Sequence, residues 1–142
     1  MTTVVLIPGF LAPRYDAQCG TVDPSSLSAR YWGTAGIVAK QHGLRVVPVA
    51  PSGVGSLHDR ACEIFYQLVG GTVDYGEEHS REHGHARFGR TYAKGLHPDW
   101  SVANPVHLVG HSYGGPTARA LRHLLANDFF GKNTCAAWVR SV

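Results

Sequence analysis

One stretch of the chain constrains its fold more than any other: residues 106–115, Val-His-Leu-Val-Gly-His-Ser-Tyr-Gly-Gly. An apolar run typical of a buried parallel strand leads into Gly-x-Ser-x-Gly, and a helical pattern begins at Pro116. Because Gly110 and Gly114 have no Cβ atom, a strand and a helix can close on each other around a strained serine. The stretch therefore predicts strand, tight turn and helix, with Ser112 as an exposed nucleophile. The alternative is an ordinary turn, in which glycines and serines also cluster.

This unit predicts an α/β class chain with an α/β-hydrolase fold, a mostly parallel sheet flanked by helices. The helix N-terminus directs N–H groups at a developing oxyanion, and the backbone N–H of Tyr113 is one candidate donor. In this fold the loop after an early strand supplies the second donor. Val4–Ile7 reads as such a strand and is followed by Pro8-Gly9-Phe10, so Phe10 is the second candidate. The alternative for Phe10 is a turn with a core phenylalanine.

Hydrophobic periodicity and glycine stops predict the other elements of the sheet and its helices. We expect a helix over 27–42, a strand over 44–50, a helix over 57–69 ended by Gly70-Gly71, and a further strand over 136–142. Pro48 places the second of these strands at an edge or a distorted end. The pattern is that of one domain in which strands and helices alternate.

Residues 72–100 break this alternation, since they are polar and short of aliphatic side chains. We interpret them as an insertion beside the sheet, with Asp74-x-x-Glu77 capping a short helix that runs through His83. Metal binding is one hypothesis for this segment, and solvated or hydrogen-bonded histidines are the other. The four histidines concerned are His79, His83, His85 and His97.

Composition argues against several other classes of protein, including nucleic-acid-binding and membrane-spanning proteins. The chain has 142 residues, 44% hydrophobic and 16% charged, enough for one modest globular domain. Its net charge is +3 without a basic run, which argues against nucleic-acid binding, and no apolar stretch approaches transmembrane length. The N-terminus lacks a signal peptide's basic region, so the protein is either cytosolic or without its presequence here. Cys19, Cys62 and Cys135 allow one disulfide at most, and buried free thiols fit better.

Three blocks of sequence resemble the thermoalkalophilic bacillus lipases and their staphylococcal relatives. The blocks are 59–63 (Asp-Arg-Ala-Cys-Glu), 67–76 (Gln-Leu-Val-Gly-Gly-Thr-Val-Asp-Tyr-Gly) and 83–92 (His-Gly-His-Ala-Arg-Phe-Gly-Arg-Thr-Tyr). Tyr31-Trp32-Gly33 and the Gly-x-Ser-x-Gly stretch also fit. The resemblance runs from the first strand to the last residue, and it covers the N-terminal part of that family's single domain.

The resemblance implies a triacylglycerol lipase or carboxylesterase that works at a lipid–water interface through an acyl-enzyme on Ser112. Phe10 and Tyr113 match the family's oxyanion positions. The family also carries a structural zinc ion, and Asp59, His79 and His85 match three of its four ligands. The fourth ligand, any Ca²⁺ ligands and the lid are expected beyond residue 142. The relatives suggest a secreted protein, although this chain shows no signal peptide.

Three positions depart from the family pattern. Pro8 stands where these lipases usually have histidine, and Tyr113 where they have Gln or Met. Because the expected donors are backbone N–H groups, these changes affect substrate preference more than reaction type. His58 stands where a tryptophan precedes the zinc aspartate, so we expect an aromatic wall near that site to be lost.

The chain lacks an obvious general base. In this fold the catalytic triad follows the chain order serine, acid, histidine. After Ser112 the only acid is Asp128 and the only histidine is His123, both on the following helix. His123 would lie roughly 16 Å from Ser112 along the helix axis, too far for direct proton transfer. We therefore expect residues 1–142 to be part of a longer enzyme and inactive alone. The alternatives are a thioesterase or acyltransferase on the same fold, and a catalytically incomplete zinc-binding protein that acts only through partner contacts.

Overall fold

The main sheet consists of three parallel strands, β1 (Thr3–Ile7), β2 (Arg45–Pro48) and β5 (Val106–Gly110). The computed structural model describes residues 1–12 and 27–140, with backbone alone for residues 27–29. The strand order is β2–β1–β5. Pro48 lies on β2, an edge strand of the described sheet, as its missing N–H requires. Parallel strands with flanking helices confirm the α/β class.

Among the described residues, five α-helices accompany the strands: α1 (Leu27–Trp32), α2 (Ala35–Gln41), α3 (Leu57–Val69), α4 (Glu77–His83) and α5 (Gly114–Ala126). The bounds of α3 are those that the sequence predicts. The single helix predicted over 27–42 was wrong, because Gly33 adopts a φ of +56° and separates α1 from α2. Glycine enters this left-handed conformation at little cost, so the apolar stripe continues while the backbone hydrogen bonds stop.

Helices α3 and α5 pack against each other, and α5 also contacts β1 and β5. The buried face of α3 includes Phe65, whose ring stacks on Phe130 with centroids 3.7 Å apart and an interplanar angle of 2°. Val5 and Ile7 of β1 and Leu121 of α5 are fully buried in the same core. This core holds the carboxyl ends of β1 and β5 rigidly beside the start of α5.

A second, two-stranded antiparallel sheet pairs β3 (Gly71–Asp74) with β4 (Phe88–Tyr92), and α4 connects them. The predicted capping role of Asp74 was wrong. Its carboxylate accepts the N–H of Gly76 and pairs with Arg87 at 2.9 Å, while Gly76 occupies the N-cap position. Strands β3 and β4 were not predicted, because four or five mostly exposed residues with one aliphatic side chain between the two strands show no clear hydrophobic alternation.

The segment after β4 returns to the main body. Trp100 is 3% exposed and donates its indole N–H to the carbonyl of Trp138 at 2.9 Å. His97 is also buried, and its backbone N–H bonds to Leu68 at the end of α3. The insertion beside the main sheet therefore runs only from β3 to β4. The prediction also assigned residues 93–100 to it, but these residues pack on the core.

The strand predicted over 136–142 is largely absent from the residues that the structure describes. Ala136–Trp138 form one turn of 3-10 helix, and only Val139 pairs with β5, through a parallel bridge to Val106. Within the described ranges, Cys62 and Cys135 are free thiols. Cys19 and residues 141–142 lie outside those ranges. No helix among the described residues is both long and apolar enough to span a membrane.

Candidate functional site

The turn between β5 and α5, here called the nucleophile elbow (Gly110–Gly114), is as tight as the sequence predicts. Ser112 has a φ of +54°, a conformation that non-glycine residues rarely adopt, and its side chain is exposed. A Cβ on Gly110 would lie 2.3 Å from the carbonyl carbon of Gly114, and a Cβ on Gly114 would lie 2.1 Å from the oxygen of Ile7. The two glycines therefore permit the close approach that holds the serine in this strained conformation.

The oxyanion loop, defined here as Pro8–Phe10, lies directly beside the elbow. Register places Ile7 opposite Gly110, and the N–H of His111 donates to the Ile7 carbonyl at 3.0 Å. A Cβ on Gly9 would lie 3.1 Å from Cβ of Ser112. The carboxyl ends of adjacent parallel strands thus bring the predicted loop and the predicted nucleophile together.

Phe10 and Tyr113 flank this junction with their rings in a T-shaped contact, 6.1 Å between centroids. The Phe10 side chain is 58% exposed, so it is not a core phenylalanine. Among the residues that the structure describes, the backbone N–H groups of both residues have no hydrogen-bond acceptor. Two free N–H groups beside an exposed serine are the donors that an oxyanion hole requires.

His111, the residue before Ser112, hydrogen-bonds towards α1 rather than to the serine. Its Nδ1 lies 2.6 Å from the hydroxyl of Tyr31, which in turn accepts the N–H of Gly9 at 2.7 Å. The Tyr31 hydroxyl thus connects the His111 ring to the main chain of Gly9. The His111 ring also packs edge-on against Trp32. In the described part of the chain, no histidine ring hydrogen-bonds Ser112.

His123 and Asp128 are engaged elsewhere. His123 lies in the last turn of α5, beside Asn127. The carboxylate of Asp128 accepts the N–H of Thr134 at 2.8 Å. These contacts are consistent with the expectation that neither residue serves as base or acid for Ser112.

Arg60 is a polar residue at this junction that sequence reasoning missed. It is fully buried on α3, and its guanidinium donates to Thr117 of α5, to the carbonyl of Ser52 and to the carbonyl of Pro8. Burial lowers the pKa of Arg60, but an arginine remains charged at any physiological pH. A lone arginine in an amphipathic helix carries no sequence signal that distinguishes it from a solvated one.

Asp59, the residue before Arg60, lies on a different side of α3 and meets two of the histidines. Its Oδ1 is 3.0 Å from Nε2 of His79 and 3.6 Å from Nε2 of His85. One ligand atom from each of the three residues lies within 4.8 Å of the other two. Zinc bonds of about 2.0–2.1 Å at tetrahedral angles place ligand atoms about 3.3 Å apart, so the three residues fit a metal ion.

The surrounding groups orient these side chains as lone-pair donors. Nδ1 of His85 donates to the carbonyl of Ala86 at 2.9 Å, which leaves Nε2 directed at Asp59. Burial lowers the pKa of His79, and the nearby His58 lowers it further, so the neutral, metal-binding form is favoured. His58 stacks on His79 at 3.8 Å between centroids. The expected loss of an aromatic wall was therefore wrong, since an imidazole fills that place.

His83 and His97 do not join the group. His83 is exposed, with its ring centroid 4.4 Å from that of His79. His97 accepts a hydrogen bond from Arg45 on Nδ1 at 2.9 Å and donates from Nε2 to the carbonyl of Asn104. The two hypotheses for the histidines thus apply to different members: two converge on Asp59, while His97 is a hydrogen-bonded core residue.

Comparison with known proteins places this geometry in a family. Residues 2–133 match the family described as lipase-like, C-terminal domain. The chain belongs to this family. Lipase 1 of Staphylococcus aureus (strain NCTC 8325 / PS 47) is 41% identical over 128 residues, and Lipase 2 of the same species is 39% identical. These matches confirm the resemblance to staphylococcal lipases.

Two solved structures have the same fold over most of this chain. Staphylococcus hyicus lipase superimposes with a TM-score of 0.72 at 35% identity, covering 87% of this chain and 31% of that one. EstA from Clostridium botulinum gives 0.73 at 32% identity, covering 99% and 34%. The matches to Lipase 1 and Lipase 2 of Staphylococcus aureus include 87% of this chain, but the chain spans only 18% of the length of each of those proteins.

Proposed function

We propose that this lipase family member forms part of a serine carboxylester hydrolase with the α/β-hydrolase fold, whose nucleophile is Ser112. One observation carries the proposal: Ser112 occupies a strained turn between β5 and α5, beside two backbone N–H groups that are unpaired among the described residues. The family membership and the lipases among its relatives support the same reaction. Residues 1–142 would then be one part of a single catalytic domain.

The reaction follows from the geometry. The Ser112 hydroxyl oxygen attacks the ester carbonyl carbon while a base takes its proton, and the carbonyl oxygen becomes an oxyanion. The N–H groups of Phe10 and Tyr113 would stabilise that charge. Collapse expels the alcohol and leaves an acyl-enzyme, which water hydrolyses to the acid and free serine.

The described residues present no base in contact with Ser112. A serine hydroxyl is a poor nucleophile without such a base. We therefore expect residues 1–142 by themselves to hydrolyse esters at no enzymatic rate. At most, a correctly formed oxyanion hole gives a residual acceleration of roughly 10³–10⁴ over water.

An ester with an apolar acyl chain suits the surface around Ser112. The Phe10 ring is 58% exposed and contacts the Tyr113 ring, next to Ser112 in sequence. Exposed apolar side chains beside a nucleophile favour a hydrophobic substrate or a lipid–water interface. Triacylglycerol is the substrate class that we propose, with simple carboxylesters as the alternative.

We further propose that Asp59, His79 and His85 hold a structural zinc ion. Nitrogen and carboxylate ligands are those that zinc prefers, and the three side chains come from α3 and from the β3–α4–β4 segment. When bound, the ion would tie that polar segment to the main body, since metal binding contributes directly to folding free energy.

A second candidate function is metal binding without catalysis, in which the protein acts only through partner contacts. The set of three ligand residues and the absence of a base in contact with Ser112, within the described ranges, favour it. The two candidates differ in whether the Ser112 hydroxyl reacts.

An esterase assay on the protein expressed from its complete gene distinguishes the candidates. We expect hydrolysis of p-nitrophenyl butyrate and of emulsified tributyrin, with Ser112→Ala reducing kcat by about 10⁴-fold or more. Ser101→Ala, in the loop before β5, is the matched control and should retain activity. Equal rates in Ser112→Ala and wild type would leave metal binding as the surviving function.

A further inference from the structure

Arg60 connects the oxyanion loop to the nucleophile elbow through buried hydrogen bonds. We propose that Arg60 is a positioning residue: it fixes Pro8–Phe10 against the start of α5, so that the N–H groups of Phe10 and Tyr113 face one point. The inference rests on the proposed ester hydrolysis. The contacts of Arg60 are with Thr117, Ser52, Pro8 and the Tyr113 ring, and none of its hydrogen bonds is to Ser112.

The elbow side of the connection involves two residues of the turn and helix. Nε of Arg60 donates to Oγ1 of Thr117 at 3.1 Å, and that hydroxyl donates to the carbonyl of Tyr113 at 2.8 Å. The guanidinium also lies 5.1 Å from the centroid of the Tyr113 ring, a cation–π distance. Arg60 therefore contacts the side chain of residue 113 directly and its main chain through Thr117.

On the side of the oxyanion loop, Arg60 contacts one group, the main-chain carbonyl of Pro8. Nη2 of Arg60 donates to the oxygen of Pro8, a buried residue two positions before the candidate donor Phe10. Proline has no N–H, so its carbonyl is the one main-chain group through which it can be held. The next residue, Gly9, is held from another direction by Tyr31. Removing Arg60 would leave the Pro8 carbonyl buried without its donor.

Only arginine can make these contacts together. The planar guanidinium presents five N–H donors in a fork, whereas a lysine ammonium acts from one point. Here three nitrogens reach Thr117, Ser52 and Pro8 in different directions. Buried Glu63, one turn further along α3, accepts the N–H of Ser52 and compensates the charge without a direct contact to Arg60. Charge-assisted hydrogen bonds of this kind are stronger than neutral ones.

The test compares Arg60→Lys and Arg60→Met with wild type in the complete protein. Because an error of about 1 Å in a catalytic geometry can cost about 10²-fold, we expect Arg60→Lys to lower kcat about 10- to 100-fold. KM for p-nitrophenyl butyrate should change little, since a contribution made in the transition state lowers kcat and kcat/KM together. Arg60→Met should lower kcat at least as far.

Gln67→Leu is the matched control. Gln67 is buried on the same helix and accepts one backbone hydrogen bond, from Ala50, away from the elbow. Its loss should reduce stability without changing kcat. Hydrogen exchange measured by mass spectrometry supplies a readout independent of activity: exchange at 8–11 and 111–117 should rise in both Arg60 variants and stay at the wild-type level in Gln67→Leu.

The outcomes separate this inference from the proposed function. Wild-type kcat together with unchanged exchange in Arg60→Lys overturns the positioning role, as does an equal loss of kcat in Gln67→Leu. If wild type shows no Ser112-dependent hydrolysis, the proposed function fails, yet exchange in the two segments still decides whether Arg60 holds them together. Arg60→Lys retains charge and most of the volume, so it decides the question if Arg60→Met does not fold.

Discussion

Gly110 and Gly114 face each other across the elbow, where a Cβ atom on either residue would prevent β5 from turning into α5. A Cβ on Gly110 would lie within 2.4 Å of three Gly114 and Gly115 backbone atoms, and backbone cannot rotate away as a side chain can. A Cβ on Gly115, by contrast, would meet no described atom within 4 Å outside its own stretch of α5. Neighbouring glycines in one short stretch therefore have different physical roles.

Gly110→Ala and Gly115→Ala should have opposite consequences for stability. We expect Gly110→Ala to lower the free energy of unfolding by about 2 kcal/mol or more, because the elbow must open to admit the methyl group. Gly115→Ala should be neutral or stabilise by up to about 1 kcal/mol through helix propensity. Urea denaturation of both variants measures the difference, and equal destabilisation would contradict the packing described for the elbow.

His97 should make stability depend on pH. Burial lowers the pKa of His97 below the 6.5 of an exposed histidine, and the Arg45 guanidinium on Nδ1 lowers it further, against the opposing effects of the Asn104 carbonyl and Asp99. Well above pH 6.5 the His97 side chain is neutral in both the folded and the unfolded chain. Below it the unfolded chain binds the proton first, so stability falls as the pH drops from 6.5 through the folded-state pKa.

The measurement is the urea midpoint at pH 8 and at pH 5.5, in wild type and in His97→Gln. Glutamine can accept from Arg45 and donate to Asn104, but it does not titrate. We expect a smaller acid-induced fall in the variant than in wild type. An identical fall in both proteins would assign the pH dependence to other groups.

At the scale of elements, α3 serves two sites at once. Consecutive residues on a helix point about 100° apart, so Asp59 meets the histidines while Arg60 meets the elbow. Ser56 caps the helix by accepting the N–H of Asp59, which fixes this first turn. The candidate metal group and the candidate catalytic junction are thereby held by the same rigid element.

Zinc should bind through His79 and stabilise the protein. At free zinc about 100 times Kd, binding adds about 2.7 kcal/mol to the free energy of unfolding, which appears as a higher Tm. His79→Ala removes a direct ligand, so its affinity should fall by more than the roughly 10- to 100-fold seen when an outer partner is lost. Thermal melts with and without added zinc, together with metal analysis, make the measurement.

His83→Ala is the control, since His83 lies on the same helix, α4, but outside the group of three. It should bind zinc and shift in Tm as wild type does. Equal loss in His83→Ala, or full zinc binding in His79→Ala, would contradict the assignment of ligands.

Elements with strong periodicity could be predicted from the sequence, and those fixed by tertiary contacts could not. Helix α3 and strand β5 have the apolar spacing and glycine stops that local physics requires. The break at Gly33 depends on one backbone angle, and β3 and β4 depend on a pairing between residues that are distant in sequence. Such pairings leave no local pattern.

For the whole molecule, the sequence indicated the candidate site residues but not the contacts that join them. The spacing of Gly-x-Ser-x-Gly predicted the elbow, and resemblance to a lipase family suggested Asp59, His79 and His85. Tyr31 and Arg60 belong to the segments that resemble the lipase family, but their contacts had no sequence signal, because their partners are backbone carbonyls, N–H groups and distant side chains. These contacts hold Pro8 and Gly9 through their main-chain groups.

The central claim is that Ser112 carries the acyl group. Treating the protein expressed from its complete gene with a fluorophosphonate, and mapping the adduct by mass spectrometry, tests it most directly. We predict one adduct, on Ser112, which disappears in Ser112→Ala. An adduct on another residue, or full labelling of Ser112→Ala, would contradict the account.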